Sequence, residues 1–168
     1  MLDGSPLILT KILLPQRRSD LLHRRRLVDF IHDHIQCKLI LISASAGYGK
    51  TSLLVDYARD TELPVCWYSL DRSDADPQVF LEYLIASIRQ RFPHFGERTS
   101  VLLRQGMRLE GGPETIAGVL VNDMIEDIPE YFVIVLDDYH LVDDSLAVNA
   151  LLDSLLHYLP PHCHFILS

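Results

Sequence analysis

The stretch S-A-S-A-G-Y-G-K-T-S, residues 43–52, decides how this chain reads. Gly49, Lys50 and Thr51 fit the end of the phosphate-loop pattern G-x-x-x-x-G-K-[ST]. The pattern asks for glycine six residues before the lysine, and Ala44 stands there instead. Alanine serves if the backbone leaves the preceding strand at negative φ, since that position has only to allow the turn. A phosphate cradle needs backbone N–H groups converging at a helix start, with a lysine for the outer phosphates. Gly47 and Gly49 supply permissive dihedrals, and Ala46, Tyr48 and Ser52 complete the expected cradle. Lys50 is expected to reach the β- and γ-phosphates, and Thr51 to bind Mg²⁺.

Working outward, the apolar run 39–43 is too short for a helix and reads as a buried parallel strand. The segment from Lys50 is helical in pattern, with Leu53, Leu54, Tyr57 and Ala58 on one face. Upstream, residues 1–22 are mostly irregular, punctuated by Pro6 and Pro15, and a helix is expected over 22–35. Downstream, 65–70 reads as a second buried strand. Asp76 and Pro77 then make an N-cap and first helical residue, for a helix that runs to about Phe92 and stops at Pro93. Residues 93–112 read as a loop with a short helix near 101–105, and a longer helix follows to about Ile128. A third strand covers Y-F-V-I-V-L-D-D, a helix over 145–158 is expected with Asp144 as its cap, and C-H-F-I-L-S closes the chain as a fourth strand. Strands alternating with helices predict an α/β fold with a parallel sheet and right-handed crossovers. No internal repeat or boundary divides residues 1–168, so one domain is expected. A strand at the very end predicts that this domain continues past it.

The third strand carries the second motif. An apolar strand ending in Asp137 and Asp138 places carboxylates at the C-terminal edge of a parallel sheet, where ligands bind. Asp137 is expected to hold Mg²⁺ and neutralise triphosphate charge. Asp138 is placed to orient or deprotonate an attacking water. Together with Lys50 these form the expected catalytic set. His140, just beyond, reads equally as a γ-phosphate sensor or a surface histidine. Asp71, Asp74 and Asp76 read as a helix cap with solvated acids, and Trp67 as core.

Apolar residues make up 48% and charged residues 23% of the chain, an ordinary globular composition. No apolar run reaches the length of a membrane span, and the N-terminus lacks the pattern of a signal peptide. The net charge is −8 and unevenly spread: residues 1–26 hold six basic groups against two acids, the rest nine against twenty-one. That acidic body is a poor match for duplex DNA. Cys37, Cys66 and Cys163 show no metal-ligand spacing and read as reduced, buried thiols of a cytoplasmic protein.

The stretches A-S-A-G-Y-G-K-T-S-L-L, V-C-W-Y-S-L-D-R-S-D-A-D-P-Q-V-F-L-E-Y-L and V-L-D-D-Y-H-L-V resemble the ATP-binding domain of MalT-like regulators. These are large LuxR-class members of the signal-transducing (STAND) P-loop NTPases. The resemblance runs from about residue 9 to the end, and alanine in place of the first glycine is usual in it. It implies a P-loop NTPase sheet of the ASCE/STAND type, truncated here after the fourth strand, with the Cys163 strand between the Phe132 and Leu39 strands. It implies an ATP/ADP and Mg²⁺ site, with adenine near residues 14–18 and Arg18 as a contact. It further implies slow hydrolysis, self-association of the ATP-bound full-length protein, and DNA binding only through a C-terminal helix-turn-helix absent from these residues. Two other functions use the same motifs: a P-loop phosphotransferase acting on a small molecule, and a non-catalytic module that holds ADP.

Overall fold

The computed structural model describes residues 7–17, 23–104 and 112–168. Four strands, β1 (Leu39–Leu41), β2 (Val65–Ser69), β3 (Phe132–Asp137) and β4 (Cys163–Leu167), form one sheet in the order β1-β4-β3-β2. Every neighbouring pair is parallel. All four strands therefore end on the same edge, and the loops leaving them share one rim of the molecule. The insertion of β4 between β1 and β3 matches the order implied by the resemblance.

Side chains alternate across each strand with period two. On one face Cys66, Tyr68, Phe132, Ile134, Leu136 and Phe165 pack with α3 (Pro77–Arg89), α5 (Gly112–Asp127) and α6 (Leu146–Tyr158). On the other, Val65, Trp67, Val133, Val135 and Ile166 pack with α1 (Arg25–His34) and α2 (Lys50–Asp60). The result is a three-layer α/β/α sandwich whose central strand, β3, is buried at all six residues. That explains its uninterrupted apolar run. Trp67 is core, as expected.

Several expectations shift. β1 is not buried: it is an edge strand of three residues, paired only with β4 among the described residues, and Leu41 is 67% exposed. The described part of the first helix spans Arg25–His34, shorter than 22–35. α3 ends at Arg89, before Pro93, because the amides of Gln90 and Arg91 bond only three residues back, to Ser87 O and Ile88 O. The short helix, α4 (Glu97–Arg104), starts earlier than 101. It is anchored on buried Asp123, whose Oδ2 accepts Thr99 N–H at 3.1 Å and whose Oδ1 takes Arg98 Nε at 2.7 Å. α6 is capped by Ser145, not Asp144: Ser145 Oγ accepts from Val148 N and donates to Ala75 O at 2.8 Å. Asp76 caps α3 as read, accepting from the backbone of Gln78 and Val79, with Pro77 at the first helical position.

Candidate functional site: a phosphate loop beside paired aspartates

The loop from β1 to α2 turns through two left-handed glycines, Gly47 at φ 83° and Gly49 at φ 76°. Asp138 is the sole non-glycine with positive φ among the described residues, so Ala44 makes its turn without the left-handed strain that a missing glycine threatens. Gly49 is the N-cap of α2 and offers no side-chain cap. The first-turn N–H groups of the helix are therefore open to an external acceptor, and the helix dipole favours an anion there. Lys50 Nζ donates to Ala44 O at 3.1 Å across the mouth of the loop. Tyr48 points outward, 65% exposed, while its carbonyl accepts Arg24 Nη1 at 2.6 Å.

Thr51 Oγ1 donates to Asp137 Oδ1 at 3.2 Å, linking α2 to the end of β3 across the intervening strand. The same carboxylate oxygen accepts Ser168 Oγ at 2.6 Å. Ser168 follows β4, the strand inserted between the two motifs, and so stands where both are in reach. Sequence reading had not singled it out; the available signal was a hydroxyl closing a buried strand. Asp137 is 2% exposed. Burial pushes its carboxyl above the usual carboxylate range and the charge of Asp138 adds to this, while hydrogen bonds from Ser168 and Thr51 oppose it. Asp138 sits in the left-handed region at φ 61°, which turns its side chain out of the strand's alternation. It is partly exposed and lies 3.9 Å from His140 Nδ1.

Among the described residues no group of three or more His, Cys, Asp or Glu gathers as a metal site. Mg²⁺ does not ask for one: it is commonly held by one or two protein oxygens, waters and phosphate. The adjoining Thr51 hydroxyl and Asp137 carboxylate are oxygen donors of that kind, so the residues present fit a nucleotide-bound Mg²⁺.

The HTH-type transcriptional regulator MalT of Cronobacter sakazakii is 32% identical over 159 residues, covering 93% of this chain and 17% of the relative. The chain is MalT-like over nine tenths of its length. MalT of Vibrio cholerae is 31% identical over 149 residues, 88% of the chain and 16% of the relative. The serine/threonine-protein kinase PknK of Mycobacterium tuberculosis is 31% identical over 149 residues, 84% and 13%. No family model matches. The MalT-like chain thus spans less than a fifth of the length of the curated relatives it matches. Such relatives, with the parallel sheet, point to a regulatory NTPase-type domain. No described helix is long and apolar enough to cross a membrane.

Two cavities flank the loop of this MalT-like chain. One, of about 420 Å³, opens beside exposed β1 between Ser43, Ala44, Lys50, His140 and Ser168. The other, of about 270 Å³, lies between Pro15–Arg17 and the first two turns of α2, with Thr51, Ser52, Val55 and Asp56 as its floor. Arg18 lies outside the described residues. Two of the other N-terminal arginines do reach the site: Arg24 on the loop carbonyl, and Arg17 on Asp56 at 2.8 Å. The acids after β2 are not simply solvated. Asp74 is fully buried and takes Lys11 Nζ on both carboxylate oxygens, at 2.5 and 2.6 Å, with the Tyr83 ring 4.1 Å from the ammonium.

Proposed function

We propose that the chain is the ATP/ADP-binding switch domain of a transcription activator, with slow hydrolysis resetting the switch. The observation that carries this reading is the Thr51–Asp137 pair beside an uncapped helix start, with Lys50 poised over the loop. Lys50 exchanges the Ala44 carbonyl for the β- and γ-phosphates. Backbone N–H groups from Gly47 to Ser52, with Ala46 and Tyr48 shaping the turn, meet the remaining phosphate oxygens. Thr51 and Asp137 would hold Mg²⁺, which would supply neutralisation of triphosphate charge. Asp138, turned outward by its left-handed backbone, orients the attacking water and accepts its proton. Arg18 and the cavity under residues 15–17 serve the adenine end. In the full-length protein, ATP favours self-association, a helix-turn-helix elsewhere meets DNA, and the protein works in the cytoplasm.

The test is calorimetric titration with ATP and ADP in Mg²⁺, for the wild type and Lys50→Ala. Loss of charge-assisted contacts to phosphate is expected to cost about 2 kcal/mol or more, roughly 30-fold in affinity. A folded wild type without Mg-nucleotide affinity would overturn the reading. A phosphate-release assay then separates hydrolysis from transfer to an acceptor.

A further inference from the structure

The N-terminal strap, residues 7–17, is held to the body at two points. Near its start, Lys11 is 7% exposed and lies in the acidic pocket of Asp74 and Asp71, at 2.5 and 3.1 Å. Ile12 beside it is 2% exposed. At its far end, Arg17 Nε meets Asp56 Oδ1 at 2.8 Å. Asp56 Oδ2 is taken by His23 Nδ1 at 2.9 Å. One carboxylate, 8% exposed on α2, therefore gathers the chain from both sides of residues 18–22. Between the two anchors, Pro15 and Gln16 form the outer wall of the 270 Å³ cavity, whose floor begins at Thr51 and Ser52. A ligand with phosphates on the loop and its other end in this cavity would lie under the strap.

We propose that Asp56 is a positioning residue that clasps the strap, through Arg17 and His23, over the base-and-ribose end of a nucleoside di- or triphosphate. This rests on the nucleotide reading above. Asp56 touches neither phosphate nor metal in it. It sets how long the base end is retained and leaves the grip on phosphate to the loop. The carboxylate is nearly buried and both its oxygens accept charged or polar N–H donors, so losing its charge loosens both chain segments at once.

The test compares a whole nucleotide with its phosphate part alone, using Mg·ADP and Mg·pyrophosphate as probes on the full chain. Asp56→Asn is expected to weaken ADP binding about tenfold or more, the worth of one charge-assisted hydrogen bond, mainly as faster dissociation. Pyrophosphate affinity is expected to stay unchanged. Arg17→Ala, at a side chain 41% exposed, gives the same selective loss and serves if Asp56→Asn fails to fold. The double variant loses no more than Asp56→Asn alone, since Arg17 acts only through that carboxylate. Equal losses for ADP and pyrophosphate, or none for ADP, overturn the clasp. If wild type binds both probes alike and Lys50→Ala abolishes both, the loop reading stands and the clasp falls. If wild type binds neither, both fall.

Discussion

Burial makes the charge of Asp137 costly, and its hydrogen bonds from Ser168 and Thr51 offset only part of that. Its folded-state pKa lies above the unfolded value, so the folded chain binds the extra proton. Stability is therefore expected to fall as pH rises from the ordinary carboxylate range through the shifted value, and to level off above it. Asp137→Asn should remove that slope and raise Tm at neutral pH, where the burial of the charge costs most. The same variant should lose Mg²⁺-dependent nucleotide binding, and thermal melts across pH with a parallel titration read both effects. Asp138 is a different case. Its left-handed backbone is one that asparagine also tolerates. Asp138→Asn should leave stability within about 0.5 kcal/mol of wild type. Nucleotide binding should persist and phosphate release should stop, as a coupled release assay would show.

The elements differ in how openly their sequences announce them. Asp76 and Pro77 declare the start of α3 within three residues, and Asp76→Ala is expected to cost about 1 kcal/mol in urea denaturation without changing nucleotide affinity. The start of α6 offers two capping candidates in a row, and a contact from 70 residues away decides between them: Ser145 Oγ is tied to Ala75 O. The candidate loop at 43–52 and the paired aspartates stand out in the sequence because each is a local pattern on a strand end. The Lys11–Asp74 pair spans 63 residues and left no local trace. Lys11→Met should leave Asp74 buried and unpaired, at a cost of about 3–5 kcal/mol in the same denaturation experiment. Ser168 and Asp56 were missed for the same reason, since each acquires its role from a partner that only the folded chain brings near.

Taken whole, the sandwich is deep in the middle and thin at one side. Burial raises the Cys66 thiol to about 12 and holds Cys163 well above the usual thiol range, while Cys37 is exposed just before β1. A thiol reagent should thus modify Cys37 quickly in the native protein and the other two only after unfolding, resolvable by mass spectrometry over time. The order of the strands was foreseen by resemblance, but the shallow burial of β1 was not, because L-I-L-I reads the same at a sheet's edge as at its centre. That shallow strand is what carries the candidate phosphate loop. Ile42 N–H, which donates to Leu167 O at 2.8 Å, is the last ladder bond before the loop begins. Amide hydrogen exchange at Ile42 should therefore proceed by local fraying, far faster than at the buried amides of β3. If fraying of β1 abolishes ligand binding, a saturating ligand slows this one exchange rate by the factor 1 + [L]/Kd. A single backbone proton would then measure occupancy of the loop without label or turnover.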